Sequence, residues 1–161
     1  MKTKIDFKKF VQKSISELKD KECKYANTYL GSMFYIDFGE LINKTGRNGN
    51  VFQKGETNIS VRECYWEIWE NITLIGCSND DDLSFIMNIF IGKFVINISI
   101  MNNFLVFKFD NNIDLRCDLT NIDEKIFPED NIIDVVNNKL SIIYSANAQG
   151  EFFIDDMTIV R

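Results

Sequence analysis

The sequence predicts an α+β fold that is predominantly antiparallel β, and three observations carry that expectation. Apolar and polar residues alternate with a period of two over most of the chain after Gly31. Strong spacing of three and four is confined to one stretch near the N-terminus. Turn-forming Asn-Asn pairs and glycines recur between the alternating runs. With 161 residues, 45% of them hydrophobic and 14 of them Phe, one domain is expected. At that size about 70% of the unfolded chain's surface can be buried without a disulfide or metal staple.

Residues 6–20 read as an amphipathic helix. Phe7, Phe10, Val11, Ile15 and Leu18 share a stripe, with Lys8, Lys9, Lys13 and Lys19 facing away. Such a helix either packs on its own domain or lies on an anionic membrane. It is taken as the core of an N-terminal helical segment, 1–28, that precedes a β-rich body, 29–161. Phe34, Ile36 and Phe38 then alternate with Met33, Tyr35 and Asp37 up to Gly39. The polar, glycine-rich stretch 43–55 reads as a loop, either a binding loop or a hairpin connection. Strands are expected at about 57–62, 64–70 and 72–77, with the inward set passing from Ile59 and Val61 to Cys64, Trp66 and Ile68. That shift predicts a bulge near Glu63.

Residues 80–91 read as a short internal helix capped by Asn79 or Asp80 and closed by Gly92. Strands follow over 94–100, 104–109 and 113–119, joined by turns at Asn102-Asn103 and Asn111-Asn112. A loop over 120–130 contains the only proline, Pro128, and short strands near 131–136, 139–145, 151–154 and 157–160 close the chain, with Gly150 at the last turn. The segments LGSMFYI (30–36) and IGKFVINI (91–98) echo one another. The echo suggests two β-meander halves, each contributing a sheet, as packed sheets or a half-barrel.

No segment is expected to cross a membrane. The longest apolar run, around Phe85 to Ile100, is interrupted by Asn88, Lys93 and Asn97, and a span needs about 20 apolar residues. No signal peptide is read at the N-terminus. Cys23, Cys64, Cys77 and Cys117 are widely spaced without a CxxC pair, which suits a reduced, cytoplasmic protein. The net charge of −6 is uneven. Residues 1–24 hold eight Lys and four acids, whereas the remainder holds ten basic and twenty acidic residues. So acidic a body argues against nucleic acid, whose phosphates need clustered Lys and Arg. It favours a basic protein partner.

Histidine is absent, which removes the commonest general base and metal ligand. No phosphate-binding glycine motif, nucleophile elbow or EF-hand pattern occurs. No cofactor or metal is therefore expected. Asp80, Asp81 and Asp82 form the densest acidic cluster. They suit a helix start, a partner's basic side chains or, less readily, a divalent cation. Glu56, Glu63, Glu67 and Glu70 are the carboxylates available for paired acid–base work, although Glu67 alternates onto the face opposite Trp66 and Ile68. Trp66 reads as core. Trp69, outward beside Glu67, reads either as an interface anchor or as a side chain buried under the N-terminal helix.

The stretch from Lys54 to Asp82 resembles an uncharacterised bacterial domain family that carries G-E-x-x-L-x-V-x-x-x-W-x-I followed by G-S-x-D. Gly55, Glu56, Ile59, Val61, Trp66 and Ile68 match that block, and Gly76, Ser78 and Asp80 approximate its end. Gly31 to Gly39 approximates an upstream segment and Ile91-Gly92 a downstream unit, so the resemblance covers about residues 29–120. The family's Trp-Arg pair is Trp66-Glu67 here, a departure from its pattern. Domains of this kind are similar to small immunity proteins of bacterial toxin systems, including contact-dependent growth inhibition. The resemblance implies a cytoplasmic antidote without catalysis that blocks the active site of a cognate toxin domain of a basic nuclease type. The contact residues expected on that reading are Glu67, Trp69, Asp80, Asp81 and Asp82. A carboxylate-dependent hydrolase built on Glu56, Glu63 and the acidic run is the second reading, and a scaffold or dimerisation module joined through a sheet edge the third.

Overall fold

The computed structural model describes residues 1–120, 127 and 129–157. Strand β1 (Lys2–Ile5) leads into helix α1 (Phe7–Leu18), then β2 (Cys23–Leu30), β3 (Met33–Thr45) and β4 (Val51–Val61). Next come β5 (Trp66–Glu70), β6 (Thr73–Cys77) and the short helix α2 (Leu83–Met87), which runs on into a 3-10 turn at Asn88–Phe90. Strands β7 (Val95–Met101), β8 (Phe104–Phe109) and β9 (Ile113–Asp118) follow, then β10 (Asn131–Asn137), β11 (Ile142–Asn147) and β12 (Phe152–Asp156). Among the described residues they form two open sheets, of order β1-β12-β11-β10-β4-β3-β2 and β6-β5-β9-β8-β7. Every pairing is antiparallel. The predicted α+β, mostly antiparallel class is what the chain adopts.

The sheets are nested in the sequence rather than contributed by successive halves. The five-stranded sheet is one run of chain, Trp66 to Asp118, inserted between β4 and β10 of the seven-stranded sheet. The echoed segments do occupy comparable places. Gly31 turns β2 into β3 at φ +57°, and Gly92 at φ +79° turns the end of the 3-10 segment towards β7.

The inner faces meet through aromatic side chains. Phe34 of β3 meets Trp66 of β5 edge-on at 5.0 Å, and Phe38 of β3 stacks on Phe109 of β8 at 6.2 Å. The expected inward set of Ile59, Val61, Cys64, Trp66 and Ile68 is buried throughout. No bulge near Glu63 is needed to link its members. Residues 62–65 are the corner where the chain leaves one sheet for the other, which resets the alternation.

Helix α1 begins because the Asp6 carboxylate accepts the Lys9 amide at 2.7 Å. Its apolar stripe packs on β10, β11 and β12 of one sheet and on β7 of the other, with the Phe7 and Phe10 rings 5.2 and 4.8 Å from Phe152. Glu17, at the far end, ties it down. Its carboxylate accepts Asn137 Nδ2 at 2.7 Å and the Tyr144 hydroxyl at 3.3 Å, and its carbonyl accepts the Thr57 hydroxyl at 3.1 Å. The 1–28 segment is thus not simply helical, because β1 and β2 flank the helix. Lysines on β1 and the short polar pattern of β2 hid the strand period.

Two further boundaries differ from expectation. The loop over 43–55 is a two-stranded ribbon paired from Leu41↔Gly55 to Thr45↔Val51, beyond a register shift after Phe38. It rises past both neighbouring strands, which pair with β3 and β4 only nearer the core. With neither face covered, its residues carry no apolar alternation to read. The helix expected at 80–91 spans only Leu83–Met87 plus the 3-10 turn. The last expected strand, 157–160, lies almost wholly outside the described residues, as does most of the 120–130 loop.

On the outer face of the seven-stranded sheet, Asp134 is only 3% exposed and lies 3.0 Å from Arg62 Nη2. Burial raises its pKa, against the lowering pull of Arg62. A raised carboxyl holds its proton more tightly in the fold. Its favourable contribution is therefore complete below the ordinary value of 3.8 and lost as pH rises through the folded pKa. The melting temperature of Asp134→Asn, relative to the parent protein, is expected to rise as pH increases above the ordinary value of 3.8 and to level off once the folded carboxyl has ionised. A flat difference in thermal melts would contradict it.

Candidate functional site

The outer face of the five-stranded sheet gathers Glu67 and Trp69 into one cluster. Period-two alternation turns both away from the core, so they stand side by side on β5. Trp69 Nε1 donates to Glu67 Oε2 at 2.6 Å, and the Tyr65 hydroxyl donates to Glu67 Oε1 at 2.9 Å. Burial and the Glu67 carboxylate hold the Tyr65 hydroxyl well above its ordinary pKa, so it stays a donor. Across the ladder, Arg116 of β9 lies over the Trp69 ring at 4.7 Å, while its Nη2 reaches Asp114 Oδ2 at 3.3 Å. Trp69 is therefore half-buried by its own sheet. It does not lie under α1, which packs instead on β7 and on β10, β11 and β12. Both Glu67 oxygens are engaged, which fixes the orientation of the carboxylate.

Asp80, Asp81 and Asp82 lie on the exposed turn between β6 and α2. Asp80 Oδ2 accepts the Cys77 amide at 2.7 Å, which occupies one outward main-chain group at the end of edge strand β6. Asp82 caps α2 by accepting the Phe85 amide at 3.4 Å. The expected cap at Asn79 or Asp80 is thus displaced to Asp82, because Asp80 is already committed to the turn. Asp81 is exposed between them and holds neither cap nor turn. Cys77 stands opposite Glu67 in the β5–β6 register, so the turn leaves the sheet beside the Glu67 and Trp69 cluster.

The other carboxylates have separate surroundings. Glu56 sits between Lys139 at 2.5 Å and Lys21 at 3.7 Å, in a depression of about 450 Å³ near the root of the ribbon. The hydrogen bond from Lys139 holds Glu56 below its ordinary pKa, so it is firmly ionised and paired. Glu63 lines a smaller depression of about 270 Å³ together with Arg62, Asp130 and Asn131. Among the described residues, no group of three or more His, Cys, Asp or Glu side chains is placed to hold a metal ion.

Two features of this end of the molecule were not singled out in the sequence. Residues 63–92 contain six carboxylates, at Glu63, Glu67, Glu70, Asp80, Asp81 and Asp82, and no Lys or Arg. A count of charge along the chain exposes that run directly. The second is a set of exposed apolar side chains within and beside it: Ile72, Leu74, Ile75 and Phe85, with Leu30 on neighbouring β2. Phe85 falls off the face shared by Leu83, Ile86, Ile89 and Phe90, and that offset is the signal that marks it as exposed.

Comparisons with protein-family models, with curated proteins and with solved structures gave no significant match to this chain.

Proposed function

We propose that this chain is an immunity-type protein that neutralises a cognate bacterial toxin by covering its active site with the acidic end of the five-stranded sheet. The reading joins the resemblance of the Lys54–Asp82 block to the charge distribution. The observation that carries it is the acid-only run from Glu63 to Gly92, which builds β5, β6, the acidic turn and α2 in one region. A basic toxin domain of the nuclease type complements that field, and complementary fields raise association rates and exclude like-charged competitors. Trp69, held by Glu67 and Arg116, offers a rigid aromatic contact whose rotamer is already fixed. Glu67 and the three aspartates are the acids we place at the interface, and the chain acts by occlusion rather than by chemistry of its own.

Co-expression with the product of the neighbouring gene, as the candidate toxin, is expected to yield a complex that survives purification. If the two purified proteins fail to associate at micromolar concentration, the proposal falls. Asp81 separates charge from structure, since Asp80 and Asp82 hold the turn and the cap while Asp81 holds neither. Asp81→Asn is expected to slow association a few-fold at low salt and to change folding stability by less than about 0.5 kcal/mol. Stopped-flow association at two ionic strengths, with a parallel melt, checks both parts.

A further inference from the structure

Resting on that reading, we infer that the partner is held by an apolar anchor centred on Phe85 of α2, with Leu30 of the adjoining edge strand β2 beside it, while the acids nearby govern the encounter. Phe85 is 75% exposed and Leu30 is 69% exposed, far more than the aromatic and aliphatic side chains packed beneath them. Helix α2 is not loosely attached. Its Leu83 and Met87 are buried, and Phe90 just after it is fully buried against Phe109 at 4.8 Å.

Both flanks of the helix are held as well. On one side Ser84 Oγ lies 3.4 Å from Thr28 Oγ1 of β2. On the other, Ile86 sits so close over Gly76 of β6 that a Cβ there would stand 2.6 Å from its Cδ1. The helix therefore bridges the edge strands of the two sheets and presents Phe85 outward from a fixed base, with Leu30 at the end of the same edge strand β2, beyond a register shift after Thr28. Ile75, next to Gly76 on β6, is a further exposed apolar side chain, at 38%. A large apolar group kept in water on a rigid support is the usual form of an interface anchor.

The chemistry of the occupant follows from what surrounds the anchor. Asp80, Asp81 and Asp82 immediately precede α2, and no basic residue lies between Arg62 and Lys93. A second copy of this chain docked symmetrically would bring the same acids face to face, and an anionic lipid surface would meet the same repulsion. A protein surface with Lys or Arg side chains around an apolar centre satisfies both the anchor and the charges. The occupant is therefore a basic, amphipathic protein segment. Phe85 and Leu30 set its dissociation rate, whereas the aspartates set its association rate.

The test uses the full chain and a labelled amphipathic helical peptide of leucine and lysine as the probe, read by fluorescence anisotropy. Saturable binding is expected, weakened at least tenfold in Phe85→Ser and in Leu30→Ser and unchanged in Phe52→Ser. Phe52 lies on the distant ribbon and is itself 43% exposed. Far-UV circular dichroism confirms that each variant is folded. The inference is overturned if the peptide does not bind, if Phe85→Ser binds like the parent protein, or if Phe52→Ser loses as much. It is also overturned if light scattering shows a dimer that Phe85→Ser abolishes. Loss of peptide binding in Phe85→Ser without any binding of the candidate toxin would sink the toxin reading and leave the anchor standing. Toxin binding untouched by Phe85→Ser would do the reverse.

Discussion

Trp66→Ala is expected to destabilise the protein by about 3–5 kcal/mol, a large share of the roughly 5–15 kcal/mol that holds a domain of this kind folded. Trp66 is fully buried and joins the two layers, being part of the five-stranded sheet and packed edge-on against Phe34 of the other. Truncation removes the largest fully buried side chain. It also removes the indole N–H that donates to the Ser32 carbonyl at 2.9 Å, so an acceptor loses its partner as a cavity opens. Trp66→Phe keeps most of the volume and is expected to cost less than half as much. Urea denaturation followed by circular dichroism gives both values. A loss under about 1 kcal/mol for alanine would mean that the sheets are not joined through this residue.

The second large effect is expected at Gly55. An added Cβ would meet the Phe38 amide nitrogen at 2.6 Å, the Phe38 carbonyl oxygen at 2.7 Å and the Thr57 carbonyl oxygen at 2.9 Å, all of them backbone atoms. Nothing there can swing aside, so Gly55→Ala must push β3 from β4 where the register shifts after Phe38. The same point is held by the Gly55 amide donating to Asp37 Oδ1 at 3.0 Å and by Asn138 Nδ2 donating to the Gly55 carbonyl at 2.8 Å. A cost of about 3 kcal/mol is expected, at the upper end of ordinary overpacking. Gly31→Ala meets no atom within 4 Å and pays only for its positive φ, about 1 kcal/mol. Equal losses at the two positions would show that the close approach at Gly55 is relieved elsewhere. Amide exchange should accelerate along 41–54 in Gly55→Ala and not in Gly31→Ala, because only the former loosens the root of the ribbon.

Legibility in the sequence followed burial. Where one face of an element is dry, the period survives. Phe34, Ile36 and Phe38, or Ile113, Leu115 and Cys117, announce their strands because every second residue must be apolar. The asparagine turns were readable because Asn102, Asn111 and Asn112 all adopt positive φ. β1 was missed because three of its four residues are exposed, and the ribbon because neither of its faces meets the core. The nesting of the sheets was hidden because alternation records which face is inward and says nothing about which strand lies alongside.

The candidate site was half visible. Outward placement of Glu67 and Trp69 followed from alternation, and the clustering of Asp80, Asp81 and Asp82 is plain in the chain. The separate duties of those aspartates depend on the exact start of α2, which a sequence defines only to within a few residues. Arg116 over Trp69 and Ser84 against Thr28 are long-range contacts that no local pattern encodes.

Hydrogen exchange of the chain with and without the purified product of the neighbouring gene, the candidate toxin, locates the partner surface most directly. Slowed exchange is expected across β5, β6, the acidic turn and α2, residues 66–92, with α1 and strands β10 to β12 unchanged. Protection confined to α1 and β10–β12, or to the ribbon over 41–54, would contradict binding through the acidic end even if the two proteins form a complex.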